Sequence, residues 1–119
     1  MTKVVYNDCY GGFGLSNEAI DWLLERGSKY IRLHEDSRFK RKGVWDEGPR
    51  HDPLLVECVE TLGKEASDQF AKLAIVEIQG PLYRVDEYDG MEYIQEPDDI
   101  DWVDVRKEWQ VDDDEDDNP

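Results

Sequence analysis

Residues 82–97 read LYRVDEYDGMEYIQEP, and this stretch decides the fold class. Its centre, Asp89-Gly90, is a dipeptide favoured by type I′ turns, because both central residues of that turn adopt positive φ angles. Apolar and aromatic residues alternate with polar ones on both sides of the dipeptide, as in half-buried strands. The stretch therefore predicts an antiparallel hairpin over residues 82–95.

Two helices are predicted upstream of the hairpin from their end signals. Ser16 is a candidate N-cap for a helix over residues 17–26. Asp52 followed by Pro53 is a strong start for a second helix over residues 53–62, since proline at the first helical position lacks an N–H that would be unpaired there. Both segments carry apolar residues at helical spacing, and both end before a glycine: Gly27 and Gly63.

Strands are predicted over residues 3–9, 29–35 and 70–78, where β-branched and aromatic residues are concentrated. Residues 34–52 show neither the helical nor the strand spacing of apolar residues and are predicted to form a long polar loop. The element order indicates an α+β fold, with a small, mostly antiparallel sheet, two helices on one face and a C-terminal hairpin. Residues 1–95 are expected to form a single domain.

The chain has 119 residues with 30 acids and 14 bases, a formal net charge of −16. Such an acidic surface excludes direct, non-specific nucleic-acid binding as a first hypothesis, because contacts to phosphates need lysine and arginine side chains. The same negative charge disfavours binding to anionic membranes. No run of about 18 apolar residues and no apolar N-terminal segment is present, so we expect an intracellular, cytoplasmic protein. Its two cysteines are expected to be reduced thiols.

Charge divides the chain unevenly. Residues 1–95 carry 18 acids and 12 bases, whereas residues 96–119 carry 12 acids and 2 bases. Residues 96–110 are an acidic extension with two tryptophans. Residues 111–119 lack apolar anchors and are predicted to form a disordered acidic tail.

A glycine-rich loop, Tyr10-Gly11-Gly12-Phe13-Gly14, joins the first strand to the first helix. Phosphate-binding loops occupy this position, because free N–H groups at a helix start attract anions. The loop matches neither GxGxxG nor a P-loop. The glycines instead suit a tight turn in which Phe13 and Leu15 are anchored in the core. A small-ligand site would combine this loop with three further residues: Arg50, His51 and Tyr88.

His51 beside Asp52 invites an acid–base interpretation, but Asp52 is explained by its capping role and no nucleophile is paired with them. The spacings of Cys9, Cys58 and the two histidines match no zinc pattern. No metal, cofactor or catalytic residue is therefore assigned. The basic run at residues 38–42 is interpreted as folding back on the acidic tail, with phosphate contact as the alternative.

The acidic surface itself suggests binding to a basic partner. Carboxylates in large number imitate the phosphate array of nucleic acid, and electrostatic steering makes such binding fast. Plain solubility is the alternative explanation. The candidate partner-binding residues lie in the extension and tail: Asp98, Asp99, Asp101, Trp102, Asp104, Trp109, Asp112, Asp113 and Asp114.

Three blocks, KVVYNDCYGGFGLSNEA, RHDPLLVECVETLG and VDEYDGMEYI, together resemble a family of small uncharacterised proteins carried by tailed phages and prophages. The resemblance covers about residues 3–95. It implies a phage origin and a place in the cytoplasm of a bacterial host, and it implies no reaction or catalytic residue.

The leading hypothesis is a non-enzymatic phage accessory protein that binds a basic host or defence protein, which could itself bind nucleic acid. Removal of residues 96–119 should then abolish binding. One alternative is a small-ligand or nucleotide-binding protein, or an enzyme, that uses the glycine loop with Arg50 and His51. Another is a virion or structural component. The sequence leaves the oligomeric state open.

Overall fold

A computed structural model describes residues 1–36, 38, 40–99 and 103–106. Over these residues the chain contains two α-helices and six strands, which confirms the α+β class. The strands form three separate antiparallel pairs: β1 with β4, β2 with β3 and β5 with β6. The bounds in chain order are β1 Thr2–Asn7, α1 Asn17–Glu25, β2 Ile31–Asp36, β3 Arg41–Trp45, α2 Pro53–Leu62, β4 Leu73–Ile78, β5 Arg84–Tyr88 and β6 Met91–Gln95.

Both helices begin at the predicted caps. The Ser16 hydroxyl accepts a hydrogen bond from the Ala19 N–H, and the Asp52 carboxylate accepts one from the Leu55 N–H. Helix α1 ends at Glu25, one residue earlier than predicted, and Gly27 follows the cap residue Arg26 in the left-handed region with φ of 80°. The N–H of Ser28 reaches back to the Leu23 carbonyl, which is the Schellman arrangement.

The core lies between the two helices and one face of the β1–β4 pair. Val5 of β1, Ile20 and Leu23 of α1, and Leu55 and Cys58 of α2 are all fully buried there. Burial raises the pKa of the Cys58 thiol to about 11, because the thiolate would lose its hydration. The second cysteine, Cys9, is half-buried and also a free thiol.

The structure corrects the prediction of a long loop over residues 34–52. Strand β2 continues to Asp36, and β3 forms within the loop at Arg41–Trp45. The sequence of β3, RKGVW, has no strand period, but tertiary contacts stabilise it. Gly43 is buried against the side chains of Ile20 and Ile31, and Trp45 packs on Tyr30 with ring centroids 5.4 Å apart.

The basic run pairs with acids of the folded body. The Lys42 ammonium lies 2.7 Å from an Asp21 carboxylate oxygen, and Arg41 lies 3.4 Å from Asp68. Tail residues 111–119, with which this run was expected to interact, lie outside the described residues. Over the part of the chain that is described, no helix is both long enough and apolar enough to cross a membrane.

Candidate functional site

The glycine loop is shaped by a positive φ at one position and by close packing at two others. Gly12 has a φ of 91°, which side-chain-bearing residues rarely adopt. A Cβ atom on Gly11 would overlap the Phe70 carbonyl, and one on Gly14 would overlap the Asp68 carboxylate. These glycines allow the loop to lie directly against the segment that precedes β4. This geometry accounts for all three glycines without a bound phosphate.

The turn of the β5–β6 hairpin packs against the same loop. Asp89 and Gly90 have φ angles of 53° and 92°, the two positive values of the predicted type I′ turn. A Cβ atom on Gly90 would overlap the Tyr10 carbonyl. The hairpin turn therefore covers the glycine loop around Tyr10 and Gly12.

Asn7, at the end of β1, ties the turn to the loop. Its side-chain amide donates to the Gly90 carbonyl at 2.9 Å and to the Cys9 carbonyl at 2.7 Å. Its side-chain oxygen accepts from the Lys72 N–H at 2.8 Å. Asn7 is completely buried, so these hydrogen bonds replace those that water would make.

Arg50 forms a bidentate ion pair with Glu92 of β6. Its two terminal nitrogens lie 2.6 and 2.9 Å from the two carboxylate oxygens. The side chains are 19% and 7% exposed, so water screens the pair weakly. The guanidinium stacks on the Phe13 ring, 3.7 Å from the ring centroid. The Asn7 N–H also donates to Glu92, at 2.9 Å.

These contacts define a polar junction, the group of buried and half-buried residues formed by Asn7, Phe13, Arg50, Gly90 and Glu92. It joins the end of β1, the glycine loop, the segment before α2 and the hairpin. An anionic ligand that bound Arg50 through the same bidentate geometry would have to displace Glu92. The polar junction therefore has the character of a structural connection between segments that are far apart in sequence.

His51 and Tyr83 form a second contact near the junction. The His51 Nδ1 lies 2.7 Å from the Tyr83 hydroxyl oxygen, and the rings meet edge to face with centroids 5.6 Å apart. Burial raises the pKa of Tyr83, and the backbone N–H groups and charge of the Arg50–His51 segment partly oppose that shift. Asp52 accepts the Leu55 N–H and caps α2, as predicted, whereas the hydrogen bond of the His51 ring goes to Tyr83.

The structure brings most of the predicted ligand-binding residues close together but leaves two tyrosines directed to solvent. Tyr10 is 59% exposed and Tyr88 is 69% exposed. Tyr88 is the last residue of β5, opposite Met91. Among the described residues, no group of three His, Cys, Asp or Glu side chains is arranged to hold a metal ion.

The predicted partner-binding residues fall into two sets. Asp98 and Asp99 are exposed in a short 3-10 turn at Pro97–Asp99, and Asp104 is paired with Arg106, which lowers the pKa of the Asp104 carboxyl. The remaining six lie outside the described residues: Asp101, Trp102, Trp109, Asp112, Asp113 and Asp114.

A groove of about 240 Å³ runs along the outer face of the fold, between β1, β4 and β6. Tyr6, Val76 and Ile94 provide its apolar lining, and Asp8 and Glu92 provide its carboxylates. The groove is shallow and open. It makes the hairpin side of the molecule both acidic and partly apolar.

Sequence reasoning missed Asn7, Phe70 and Glu92. The available signals were weak, because Asn7 lies within a strand pattern and Glu92 occupies an alternating hairpin position that reads as solvent-exposed. Their roles depend on contacts across more than 60 residues of chain. Comparison of the chain with protein-family models, curated proteins and solved structures found no match.

Proposed function

We propose that the chain is a non-enzymatic binding protein that occupies a basic surface of another protein, as a mimic of nucleic-acid phosphates. The surface responsible is the acidic face, defined as the hairpin β5–β6 and the residues that follow it through Asp99. The resemblance to tailed-phage proteins suggests a protein of a bacterial host as the partner, and the host cytoplasm as the place of binding.

The distribution of charge is the observation that supports this function. Residues 82–119 hold 16 acids and 3 bases, so that 13 of the 16 net negative charges belong to them, whereas residues 1–81 have 14 acids and 11 bases. In the first 81 residues, bases pair with neighbouring acids, as in Lys3–Glu60 and Lys42–Asp21. Residues 1–81 are nearly neutral, and the excess is divided between residues 82–99, with 7 acids and 1 base, and residues 100–119, with 9 acids and 2 bases.

Carboxylates of the acidic face are exposed to solvent. Arg84, the single base within residues 82–99, already pairs with Asp86 at 3.0 Å. Glu87, Asp89, Asp98 and Asp99 are exposed and have no basic partner among the described residues. The exposed rings of Tyr88 and Tyr93 lie on the same hairpin. Aromatic residues are enriched at protein interfaces, and carboxylates supply steering toward a basic surface.

The test uses two full-length variants with the same net charge. The first, E87Q/D89N/D98N/D99N, neutralises the acidic face with isosteric amides that can still accept the Gly90 and Glu96 N–H bonds. The control, E18Q/E47Q/E57Q/E65Q, neutralises four exposed carboxylates of the body. Proteins retained from nuclease-treated bacterial lysate are identified by mass spectrometry, purified and titrated against the wild-type chain and both variants over a series of salt concentrations.

A basic protein should bind the wild type and the control equally and the acidic-face variant at least about 10-fold more weakly, because four charge contacts are lost. Its affinity for the wild type should fall as salt is raised. Equal binding by the two variants, affinity that does not change with salt, or the absence of any retained protein would overturn the proposal.

A further inference from the structure

The outer face of the β1–β4 pair is only partly covered by the rest of the fold. Ile75 of β4 faces the helical core, so Val76 and Ile78 point to the opposite, outer face. Val4 lies opposite Val76 in the register and points the same way, as does Tyr6. Val4 and Ile78 are buried, whereas Tyr6 and Val76 are half-buried. The apolar outer face is therefore shielded from water at its Ile78 end and accessible at Tyr6 and Val76.

Strand β6 crosses this face and is fastened to the pair at two points. At one end the Glu92 carboxylate accepts the Asn7 N–H at 2.9 Å. At the other end the Glu96 carboxylate accepts the N–H groups of Gln79 and Gly80, at 3.1 and 3.0 Å. The strand thus runs from the end of β1 to the end of β4. The groove of about 240 Å³ lies beside it, where the outer face remains accessible.

The floor and one wall of the groove are apolar. Tyr6 and Val76 form the floor, and Ile94 of β6 contributes to the wall. All three side chains are half-buried, so part of their apolar surface is in contact with water. A hydrocarbon chain laid on this floor would remove apolar surface from water on both sides of the contact, which is favourable.

Asp8 places an uncompensated negative charge in the groove. Its side chain is exposed and forms an ion pair with no base among the described residues. Glu92, the second carboxylate of the lining, already pairs with Arg50. Burial raises the pKa of the Tyr6 hydroxyl, and the charge of Asp8 raises it further. The Asp8 charge therefore acts directly on the floor of the groove.

An apolar floor next to a single carboxylate is complementary to a long basic side chain. Lysine and arginine lay their methylene stems along apolar surface and keep the charged head at a polar or charged group. An anionic group would be repelled by Asp8, and an uncharged apolar side chain would gain nothing from it. The chemistry of the groove thus distinguishes basic side chains from both of these classes.

We propose that the groove formed by Tyr6, Asp8, Val76 and Ile94 takes one lysine or arginine side chain of a basic partner protein, with the stem on Tyr6 and Val76 and the charged head at Asp8. This inference rests on the proposed function and names a specific contact within it. Strand β6 belongs to the acidic face and also forms a wall of the groove, so a partner that covers the acidic face lies beside the groove. The acidic face supplies long-range attraction, and the groove adds a preference for a long stem.

The test of the stem uses two basic peptides of equal charge, a decamer of lysine and a decamer of 2,4-diaminobutyrate, which has two side-chain methylenes instead of four. Each is titrated against the full-length chain at low salt by calorimetry. We expect the lysine decamer to bind about 5-fold more tightly, because two more methylenes of one side chain are buried. Val76→Thr, which keeps the shape of the floor and makes it polar, should reduce this preference. Equal binding of the two decamers by the wild type, or no binding of the lysine decamer, would overturn the proposal.

The test of the charged head uses Asp8→Asn, with Glu18→Gln as the matched control. Each variant loses one exposed carboxylate without a change in side-chain size, and Glu18 lies on α1, away from the groove lining. We expect Asp8→Asn to bind the lysine decamer about 3-fold more weakly than the wild type does and Glu18→Gln to bind it equally well. Unchanged affinity in Asp8→Asn contradicts the assigned position of the head.

The acidic-face variant E87Q/D89N/D98N/D99N separates failure of this inference from failure of the proposed function. If that variant binds the lysine decamer more weakly but Asp8→Asn does not, the groove assignment is wrong and the acidic face remains the binding surface. If Asp8→Asn binds it more weakly but the acidic-face variant does not, the acidic face is wrong and the groove is the binding site.

Nuclear Overhauser contacts locate the side chain directly. In the complex, the lysine methylenes should show contacts to the methyl groups of Val76 and Ile94. A complex without such contacts would overturn the proposal. Contacts from Trp102 or Trp109 to these methyl groups in the free chain would overturn it as well, because the chain's own extension or a second copy would then fill the groove.

Discussion

The Glu92 carboxylate binds three donors from two distant segments: both terminal nitrogens of Arg50 and the N–H of Asn7. Because the group is only 7% exposed, its charge is stabilised by Arg50 and not by water. Glu92 likewise stabilises the charge of the Arg50 guanidinium, which is partly covered by the Phe13 ring. Each partner therefore depends on the other to remain buried.

At this scale we predict that Glu92→Gln lowers the free energy of unfolding by about 3 kcal/mol, measured by urea denaturation. Glutamine can still accept the Asn7 hydrogen bond, but it leaves the Arg50 charge buried and unpaired. The control is Arg84→Gln, which removes the exposed Arg84–Asp86 pair and should cost less than about 1 kcal/mol. Equal losses in the two variants would show that the Arg50–Glu92 pair contributes no more to the free energy of unfolding than an exposed ion pair does.

At the scale of elements, the β5–β6 hairpin is attached to the rest of the fold through its turn as well as through Glu92. The turn contacts the glycine loop at Tyr10 and Gly12, and the Asn7 amide holds the Gly90 carbonyl. Local sequence determines the shape of this turn, whereas its position depends on the loop against which it packs.

Gly90→Ala and Gly12→Ala form a matched pair that separates backbone strain from packing. Both glycines have nearly the same φ, 92° and 91°, so the strain of an alanine is similar. An added Cβ meets the Tyr10 carbonyl at position 90 and nothing within 4 Å at position 12. We expect Gly90→Ala to cost about 2 kcal/mol more than Gly12→Ala in thermal or urea unfolding. Similar costs would mean that the turn does not pack tightly on the loop.

The whole molecule is a nearly neutral body joined to a strongly acidic C-terminal third. Its ion pairs other than Arg50–Glu92 are mostly exposed, as Lys3–Glu60 is, and such pairs contribute little to stability. Repulsion within a chain of net charge −16 should therefore outweigh them at low ionic strength.

At this scale we predict that Tm rises by a few degrees between about 0.01 and 0.15 M salt, over which the Debye length falls from about 30 to about 8 Å. Calorimetry or circular dichroism measures the change. The variant E87Q/D89N/D98N/D99N should show a smaller rise, because part of the repulsion has already been removed. A Tm that decreases with salt would show that attractive ion pairs dominate instead.

Local sequence accounted for the elements whose geometry depends on neighbouring residues. Both helix starts, at Ser16 and Asp52, and the type I′ turn at Asp89-Gly90 are where the sequence predicted them. Capping and turn formation involve residues three or fewer apart, so the relevant atoms are visible in a short stretch. The acidic character of the C-terminal third is likewise a property of composition.

Tertiary structure alone decided the rest. Strand β3 forms in a segment without a strand pattern, because Gly43 packs against residues of α1 and β2. Trp45 packs on Tyr30, the residue before β2. Arg50, a candidate ligand-binding residue, pairs with Glu92, which lies 42 residues away in sequence and 2.6 Å away in space. Contacts of this kind depend on how distant segments pack, and no local pattern encodes that packing.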